Sequence, residues 1–181
     1  MSYHGIVIAG FGGQGVMLMG QIIAAAAVID GKNSTWLPSY GPEMRGGTAN
    51  CTVVVDEKPV ASPVIDTPTE VVAMNYPSMV KFGKKLKSGG FLFVNASVVD
   101  QKMDRGDVKI IEIPVNDIAD KIGSGKVANM VMLGAFVELT KVASFEAVEE
   151  ALRYKLSGSK SALLPLNLEA IKKGAEYARG R

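Results

Sequence analysis

The residues from Gly10 to Gly15 have the types and the spacing to bind an anion or a carbonyl oxygen. They follow a short apolar run and read Gly10-Phe11-Gly12-Gly13-Gln14-Gly15, with an uncharged, apolar stretch after them. Glycine reaches positive φ without steric cost and lets another group come close to the backbone. The first N–H groups of a helix after this turn would point into the space above it. The candidate binding residues are Gly10, Gly12, Gly13, Gln14 and Gly15.

The spacing Gly10-x-Gly12-x-x-Gly15 also satisfies the dinucleotide-binding fingerprint, which requires an acidic residue about 20 positions further on, at the end of the second strand. Asp30 is at that distance, but it comes before Gly31, where the first helix should end. The second strand is predicted over 34–37, and no carboxylate follows it until Glu43. We therefore expect no NAD site. A stand-alone Rossmann-like nucleotide-binding protein is kept as the alternative function.

A second group of reactive side chains lies between residues 38 and 47, where Pro38 and Pro42 are expected to end regular structure. Arg45 offers a planar fork for a carboxylate or phosphate, and Glu43 is its simplest internal partner. Because this segment follows the second strand, a parallel sheet would place it at the same edge as the glycine turn. The candidate interface or ligand-contacting residues are Tyr40, Gly41, Glu43, Arg45, Gly46 and Gly47.

Residues for the common kinds of catalysis are nearly absent. The only histidine, His4, is expected to be a solvated terminal residue, and the only cysteine, Cys51, is expected to be buried in the middle of a strand. Metal sites and cysteine-ligated iron–sulfur clusters need several such ligands, so the sequence predicts neither, and it predicts no intramolecular disulfide. No Ser-His-Asp or Cys-His arrangement can be assembled around the glycine turn. We therefore assign no catalytic residue.

Composition is that of an ordinary globular protein. The chain has 181 residues, a net charge of +2 and 48% hydrophobic residues, which predicts a single domain over 1–181 with a substantial core. Lys81, Lys84, Lys85 and Lys87 recur at helical spacing and indicate a solvated helix face rather than a nucleic-acid patch. Neither a membrane-spanning segment nor a secretory signal is predicted, so we expect a cytoplasmic protein.

The order of predicted elements favours a three-layer α/β fold. Strands alternate with helices, which indicates a mostly parallel, Rossmann-like sheet covered on both faces, with a short antiparallel excursion over 48–61 and an edge segment near 60–61. Strands are predicted over 6–9, 34–37, 48–55, 71–74, 91–95 and 108–113. Helices are predicted over 16–29, 77–86, 115–122, 129–139, 144–156 and 168–178, the last with Asn167 as its N-cap.

Two motifs together resemble the gamma subunit of the 2-oxoacid:ferredoxin oxidoreductases. One is the glycine turn followed by Val16, and the other runs from Pro38 to Cys51 as Pro-Ser-Tyr-Gly-Pro-Glu-Met-Arg-Gly-Gly-Thr-Ala-Asn-Cys. The longer motif is the specific one, since the glycine turn occurs in many α/β proteins. The likeness extends over the length and layout of the chain. It implies a fold like domain III of pyruvate-ferredoxin oxidoreductase, in a family with pyruvate, 2-oxoglutarate, branched-chain and indolepyruvate enzymes.

The resemblance implies a multisubunit enzyme that converts a 2-oxoacid and coenzyme A into an acyl-coenzyme A and CO₂, with electrons passed to ferredoxin or flavodoxin. In that family thiamine diphosphate lies mainly on the alpha and beta subunits, and the iron–sulfur clusters lie on the beta subunit or on a separate small (delta) subunit. The gamma subunit is mainly structural. The expected partners are therefore the alpha, beta and delta subunits, without nucleic acid or membrane.

Two roles remain open for the glycine-rich edge. It could contact the phosphates of coenzyme A, or it could pack on the alpha subunit. We favour packing, because arginine and aromatic residues are enriched at protein interfaces. An interaction module that binds no ligand at all also stays open, although it leaves the cluster of glycines without a purpose.

Overall fold

The computed structural model describes residues 3–40 and 48–180, with Tyr40 described through its backbone. The strands are β1 (His4–Phe11), β2 (Asn33–Tyr40), β3 (Thr48–Asp56), β4 (Glu70–Ala73), β5 (Phe91–Asn95) and β6 (Lys109–Ile113). The helices are α1 (Val16–Ile29), α2 (Tyr76–Gly83), α3 (Val115–Lys121), α4 (Ala128–Thr140), α5 (Phe145–Lys155) and α6 (Leu164–Arg179). Short 3-10 helices span Gly125–Val127 and Gly158–Leu163.

The strands form one six-stranded sheet in the order β2-β3-β1-β4-β5-β6. Strands β1, β4, β5 and β6 run parallel to one another, whereas β3 is antiparallel to both of its neighbours, β1 and β2. The predicted mostly parallel sheet with an antiparallel excursion is therefore confirmed. Gly10 of β1 and Tyr40 of β2 are both in register with Ala49 of β3. The carboxyl ends of β1 and β2 consequently lie on the same side of the sheet.

Side chains of the strands alternate between two apolar layers, as expected for a sheet buried on both faces. Ile6 and Ile8 of β1 point into the larger layer, which they share with α1, α3, α4, α5 and α6. There the rings of Phe93 and Phe136 lie 5.0 Å apart between centroids, so α4 packs directly on β5. Val7 points to the opposite layer, which is closed by α2 and by the segment after β5. This arrangement confirms the three-layer α/β fold.

Helices α4 and α6 contact each other through their backbones. A Cβ atom on Gly134 of α4 would overlap the carbonyl oxygen of Ile171, and one on Gly174 of α6 would overlap that of Val131. Both glycines therefore serve close approach of the two helices rather than a turn. The spacing of apolar residues predicted the two helices but gave no sign of this contact.

Strand β2 is longer than predicted because it continues through Pro38 to Tyr40. The expectation that Pro38 ends regular structure is wrong: Pro38 is in register with Cys51, and proline is tolerated on an edge strand because its missing N–H can face outward. The predicted edge segment near 60–61 is also wrong, since no strand forms there. Strand β3 already pairs with β1 and β2, so a strand returning beside β3 would find no free edge.

Two further local predictions need correction. Asn167 is not an N-cap: α6 begins at Leu164, with Pro165 in the first turn where its missing N–H costs nothing, and the Asn167 side chain donates to the carbonyl oxygen of Leu163 at 2.7 Å. His4 is not solvated either. It is 8% exposed, because β1 begins at His4 and pairs with β3, and its Nδ1 lies 2.9 Å from Oε1 of Glu70.

Candidate functional site

The glycine turn lies where the chain changes its direction of travel across the sheet. From β1 the chain crosses through α1 on one face towards β2, whereas from β4 it crosses through α2 on the other face to β5. Strands β1 and β4 are neighbours, and the N–H of Met74 donates to the carbonyl oxygen of Ala9 at 2.8 Å. Ligands of open α/β sheets bind outside the carboxyl ends of the strands at such a point. The turn therefore occupies the usual ligand position of this kind of sheet.

Two of the glycines in the turn have backbones that other residues adopt only with strain. Gly13 has φ of 94° and Gly15 has φ of 75°, both in the left-handed region. Gly15 is also the N-cap of α1, and it brings no side-chain acceptor to the first N–H groups of that helix. Since the first turn of α1 contains no acidic residue, the positive end of the helix dipole faces the edge of the sheet without a counter-charge on α1 itself.

Gln14 connects the turn to the end of β4 through its carboxamide. Its Oε1 accepts from the N–H of Phe11 at 2.7 Å, and its Nε2 donates to the carbonyl oxygen of Met74 at 3.0 Å. A Cβ on Gly10 would lie 2.6 Å from the same Oε1, so Gly10 must be glycine for this side chain to fold back. Gln14 and Gly10 therefore fix the shape of the turn.

Further side-chain amides converge on the same edge and form an amide cluster, defined here as Gln14, Asn75, Asn95, Asn116 and Asn129. Asn95 is fully buried at the end of β5, and its Nδ2 donates to Oδ1 of Asn116 at 2.8 Å. Asn75 is nearly buried, and its Oδ1 accepts from the N–H of Ser78, which caps α2. Asn129, at the start of α4, donates to the carbonyl oxygen of Gly15 at 3.3 Å. These bonds hold neutral donors and acceptors in fixed positions.

The turn separates two cavities of different character. On the side of α1 and β3 lies an apolar cleft of about 340 Å³, lined by Phe11, Gly12, Gly13, Gly15, Val16, Met17, Leu18, Ser39, Thr48 and Ala49. None of these residues is charged. On the side of β4 and α4 lies a smaller amide crevice of about 110 Å³, lined by Gly13, Gln14, Met74, Asn116, Gly125, Lys126, Ala128 and Asn129. The first cavity suits apolar groups, and the second suits a small polar group or an anion beside Lys126.

The second predicted group of site residues is only partly within reach. Tyr40 lies at the end of β2, and its backbone is in register with Ala49 beside Gly10, so the second segment starts at the edge that carries the glycine turn. Gly41, Glu43, Arg45, Gly46 and Gly47 lie outside the described residues, and their part in the site stays a prediction.

The structure explains why the remaining candidates stand apart from this edge. Asp30 lies at the other end of α1, about 20 Å away at 1.5 Å per helical residue, and its carboxylate accepts from both the N–H and Oγ of Ser144. Cys51 is buried in β3, as predicted.

Among residues 3–40 and 48–180, no group of three or more His, Cys, Asp or Glu side chains could hold a metal ion. No helix in these ranges is long and apolar enough to span a membrane.

Sequence reasoning missed the asparagines of the amide cluster. A signal was present for two of them, because Asn75 and Asn95 stand at the carboxyl ends of predicted buried strands. Polar residues at these positions of a parallel sheet point to a ligand edge. Asn116 and Asn129 carried no such signal, since only the packing of α3 and α4 brings them to the turn.

The fold and the site define an α/β domain. Its glycine-rich, amide-lined edge lies between β1 and β4, where the chain changes direction across the sheet. The family model described as pyruvate ferredoxin/flavodoxin oxidoreductase matches residues 5–177. The chain belongs to this family. It is 39% identical over 175 residues to ketoisovalerate oxidoreductase subunit VorA of Methanothermobacter thermautotrophicus, a match that covers 96% of this chain and 36% of VorA. The chain thus spans about a third of the length of that relative.

Solved structures agree with this assignment. The keto/oxoacid ferredoxin oxidoreductase gamma subunit from Geobacter sulfurreducens superimposes with a TM-score of 0.84 at 34% identity, covering 98% of this chain and 99% of that one. The 2-oxoglutarate:ferredoxin oxidoreductase from Magnetococcus marinus, solved with 2-oxoglutarate, coenzyme A and succinyl-CoA bound, gives a TM-score of 0.91 at 28% identity. That match covers all of this chain and 32% of the other. The resemblance stated from the two sequence motifs is therefore confirmed.

Proposed function

We propose that this chain is the gamma subunit of a multisubunit, thiamine-diphosphate-dependent 2-oxoacid:ferredoxin oxidoreductase. The observation that carries the proposal is the match over nearly the full length of both chains to a gamma subunit of this class. The proposed reaction converts a 2-oxoacid and coenzyme A into an acyl-coenzyme A and CO₂, with electrons passed to ferredoxin or flavodoxin. Thiamine diphosphate and the iron–sulfur clusters are assigned to the partner alpha, beta and delta subunits.

The proposed contribution of this chain is to complete the assembly at its glycine-rich edge. The uncharged lining of the apolar cleft supports packing against a partner subunit, since the buried centres of interfaces are depleted of charge. The amide cluster supports a rigid edge, because its members hold the ends of β1, β4 and β5 together. A mainly structural role follows from these two features.

Anaerobic affinity purification of the tagged chain from its own cells tests the proposal. We expect a thiamine-diphosphate-binding subunit and an iron–sulfur subunit to co-purify in near-equal amounts, and the purified complex to reduce ferredoxin with a 2-oxoacid and coenzyme A. A chain that is recovered alone or only with itself would overturn the proposal. The stand-alone nucleotide-binding alternative would then be examined.

Coenzyme A contact is a second proposed role, and the amide crevice is the observation that favours it. Lys126 supplies a positive charge there, so a phosphate oxygen of coenzyme A would find a charged donor in the crevice. The amides of Asn116 and Asn129 suit neutral polar groups of the same ligand. Among the described residues that line the crevice there is no carboxylate to hold the ribose of a nicotinamide dinucleotide, which favours coenzyme A over NAD.

Calorimetry of the isolated chain and of the complex with coenzyme A, NAD and NADP separates these ligands. Of the three ligands, we expect only coenzyme A to bind. The Lys126→Met variant should bind coenzyme A about tenfold more weakly, because it loses one charge-assisted hydrogen bond. Lys121→Met, on the exposed side of α3, is the matched control and should change the affinity less than about twofold. Equal binding by wild type and Lys126→Met would exclude the crevice as the phosphate site, and binding of NAD would favour the alternative function.

A further inference from the structure

Strand β2 is the outermost strand on one side of the sheet, and it lacks the features that usually protect such a strand. It is eight residues long, it pairs only with β3, and none of its residues is charged. Natural proteins commonly guard exposed edge strands with lysine, with bulges or with very short strands. In β2 the one residue of this protective kind is Pro38, which lies close to the carboxyl end of the strand. Over residues 3–40 and 48–180, the outer side of β2 has no paired strand.

The surface that flanks this edge is also uncharged. Helix α1 packs against β2 and contains no charged residue from Val16 to Ile29, so it lacks the polar face of an ordinary surface helix. At its end Val28 is 57% exposed, and on the strand itself Leu37 is 43% exposed. The apolar cleft, which includes Ser39 of β2, continues this surface to the glycine turn. Over the described residues, α1, β2 and the lining of the cleft thus present a charge-free surface.

Buried polar groups without partners occur on the same strand. The hydroxyl groups of Ser34 and Thr35 are buried and have no hydrogen-bond partner within the described part of the chain. An unsatisfied buried polar group costs about 1–3 kcal/mol, so native proteins carry few of them. They stand side by side on the edge strand, so within the described fold the buried side-chain groups without partners are concentrated on β2.

We propose that β2 pairs with an extended segment of a partner subunit, which continues the sheet beyond its edge. The occupant is inferred from the relatives: in VorA and in the Magnetococcus enzyme, the region that matches this chain belongs to a polypeptide about three times as long, so further protein accompanies it there. The segment should be uncharged and apolar where it meets Leu37 and α1. Main-chain hydrogen bonds would give such a contact its affinity. This inference rests on the proposed function, because it requires the partner subunits.

The test combines edge variants with amide hydrogen exchange in the co-expressed complex. Leu37→Lys places a charge on the exposed side of β2, where an edge strand tolerates it without loss of the fold, and Ser39→Lys does so at a second exposed position. Val98→Lys, 53% exposed beyond β5, is the matched control. We expect each β2 variant to weaken assembly about tenfold and the control to stay within about twofold. We also expect the backbone amides of β2, of which Pro38 has none, to exchange about tenfold more slowly in the complex than in the free chain.

The outcomes are distinguishable. If the wild-type complex forms but the amides of β2 exchange as fast as in the free chain, or if both lysine variants assemble normally, the pairing is wrong while the proposed function stands. If protection of β2 grows with the concentration of the free chain, the occupant is a second copy, and the partner-subunit proposal is overturned. If the wild-type chain assembles with no partner subunit, the proposed function and this inference fail together.

Discussion

The carboxamide of Asn129 occupies the space into which a Cβ atom on Gly15 would project, and it donates to the carbonyl oxygen of the same residue at 3.3 Å. This contact joins the start of α4 to the start of α1 across the edge of the sheet. Because Gly15 also has φ of 75°, two independent reasons require glycine at this position. The glycine turn is therefore specified by its tertiary surroundings as well as by its own backbone.

Gly15→Ala should lower the free energy of unfolding by about 2–5 kcal/mol, the sum of left-handed strain and overpacking against Asn129. Gly31→Ala is the matched control, since Gly31 has φ of 78° but no atom near its virtual Cβ, and it should lose only about 1–2 kcal/mol. Denaturant unfolding of the two variants measures the difference. Equal losses would show that Asn129 yields without cost and that only backbone strain matters.

Gly134→Ala should destabilise the chain by about 3 kcal/mol, even though alanine is the better helix former by about 1 kcal/mol. The new methyl group would overlap the backbone of Ile171, which cannot move without separating α4 from α6. Gly83→Ala, in α2, is the control because its methyl group would meet the flexible thioether end of Met103. We expect a loss below about 1 kcal/mol there. Thermal unfolding of both variants checks the ranking, and a milder effect at Gly134 would contradict the close helix contact.

Asp107 should stay ionised at a lower pH than an ordinary aspartate. Nε and Nη2 of Arg105 donate to its carboxylate, and Oγ of Ser88 donates as well, so the pKa of Asp107 is held well below its usual value. A depressed folded-state pKa contributes stability above the unfolded-state value of about 3.9, and this stability is lost as the pH falls towards the folded-state value.

The Asp107 prediction is checked by comparing Asp107→Asn with wild type across the acid range. The variant should be less stable at neutral pH, and the gap should close as the pH falls below about 4. Asp104→Asn, which removes an exposed carboxylate three residues earlier in the same loop, is the control. If the stability difference between the variant and wild type stays constant with pH, the shape of the side chain rather than its charge causes that difference. A carboxyl NMR titration of Asp107 would measure its pKa directly.

Cys51 should be almost inert to alkylation in the folded chain. It has no exposed surface, and burial raises the pKa of its thiol to about 12 from the ordinary 9.0, which lowers the thiolate population about a thousandfold. Iodoacetamide should therefore modify Cys51 at a rate set by opening of β3. The same chain in denaturant serves as the reference and should react at once. Fast labelling under native conditions would show that β3 opens far more easily than its position between two strands implies.

The sequence predicted those parts of the fold that depend on patterns of neighbouring residues in the chain. Alternating apolar residues identified strand β3, and the glycines after Ala9 identified the turn between β1 and α1. Cys51 was placed correctly because a small apolar residue in such a strand has few other options. These features depend on neighbours in the chain, so one sequence is enough to read them.

The features that the sequence did not predict depend on residues far apart in the chain. Pro38 looked like a breaker because nothing local says that β2 lies at the edge of the sheet. His4 looked solvated because Glu70, its buried partner, is 66 residues away. The amide cluster joins residues from five parts of the chain, and each asparagine alone is typical of a loop or a cap. Sequence patterns describe elements, whereas these sites are made where the elements meet.

Strand β2 also carries the only tryptophan of the chain, Trp36, whose indole lies between the strand and α1 beside Gly20. Its emission therefore reports on one place only, the charge-free edge of the sheet. A protein that docks there changes the solvent around this single fluorophore, whereas a ligand in the amide crevice leaves it undisturbed. The chain thus carries its own optical probe, which distinguishes occupation of the edge from occupation of the crevice without any label.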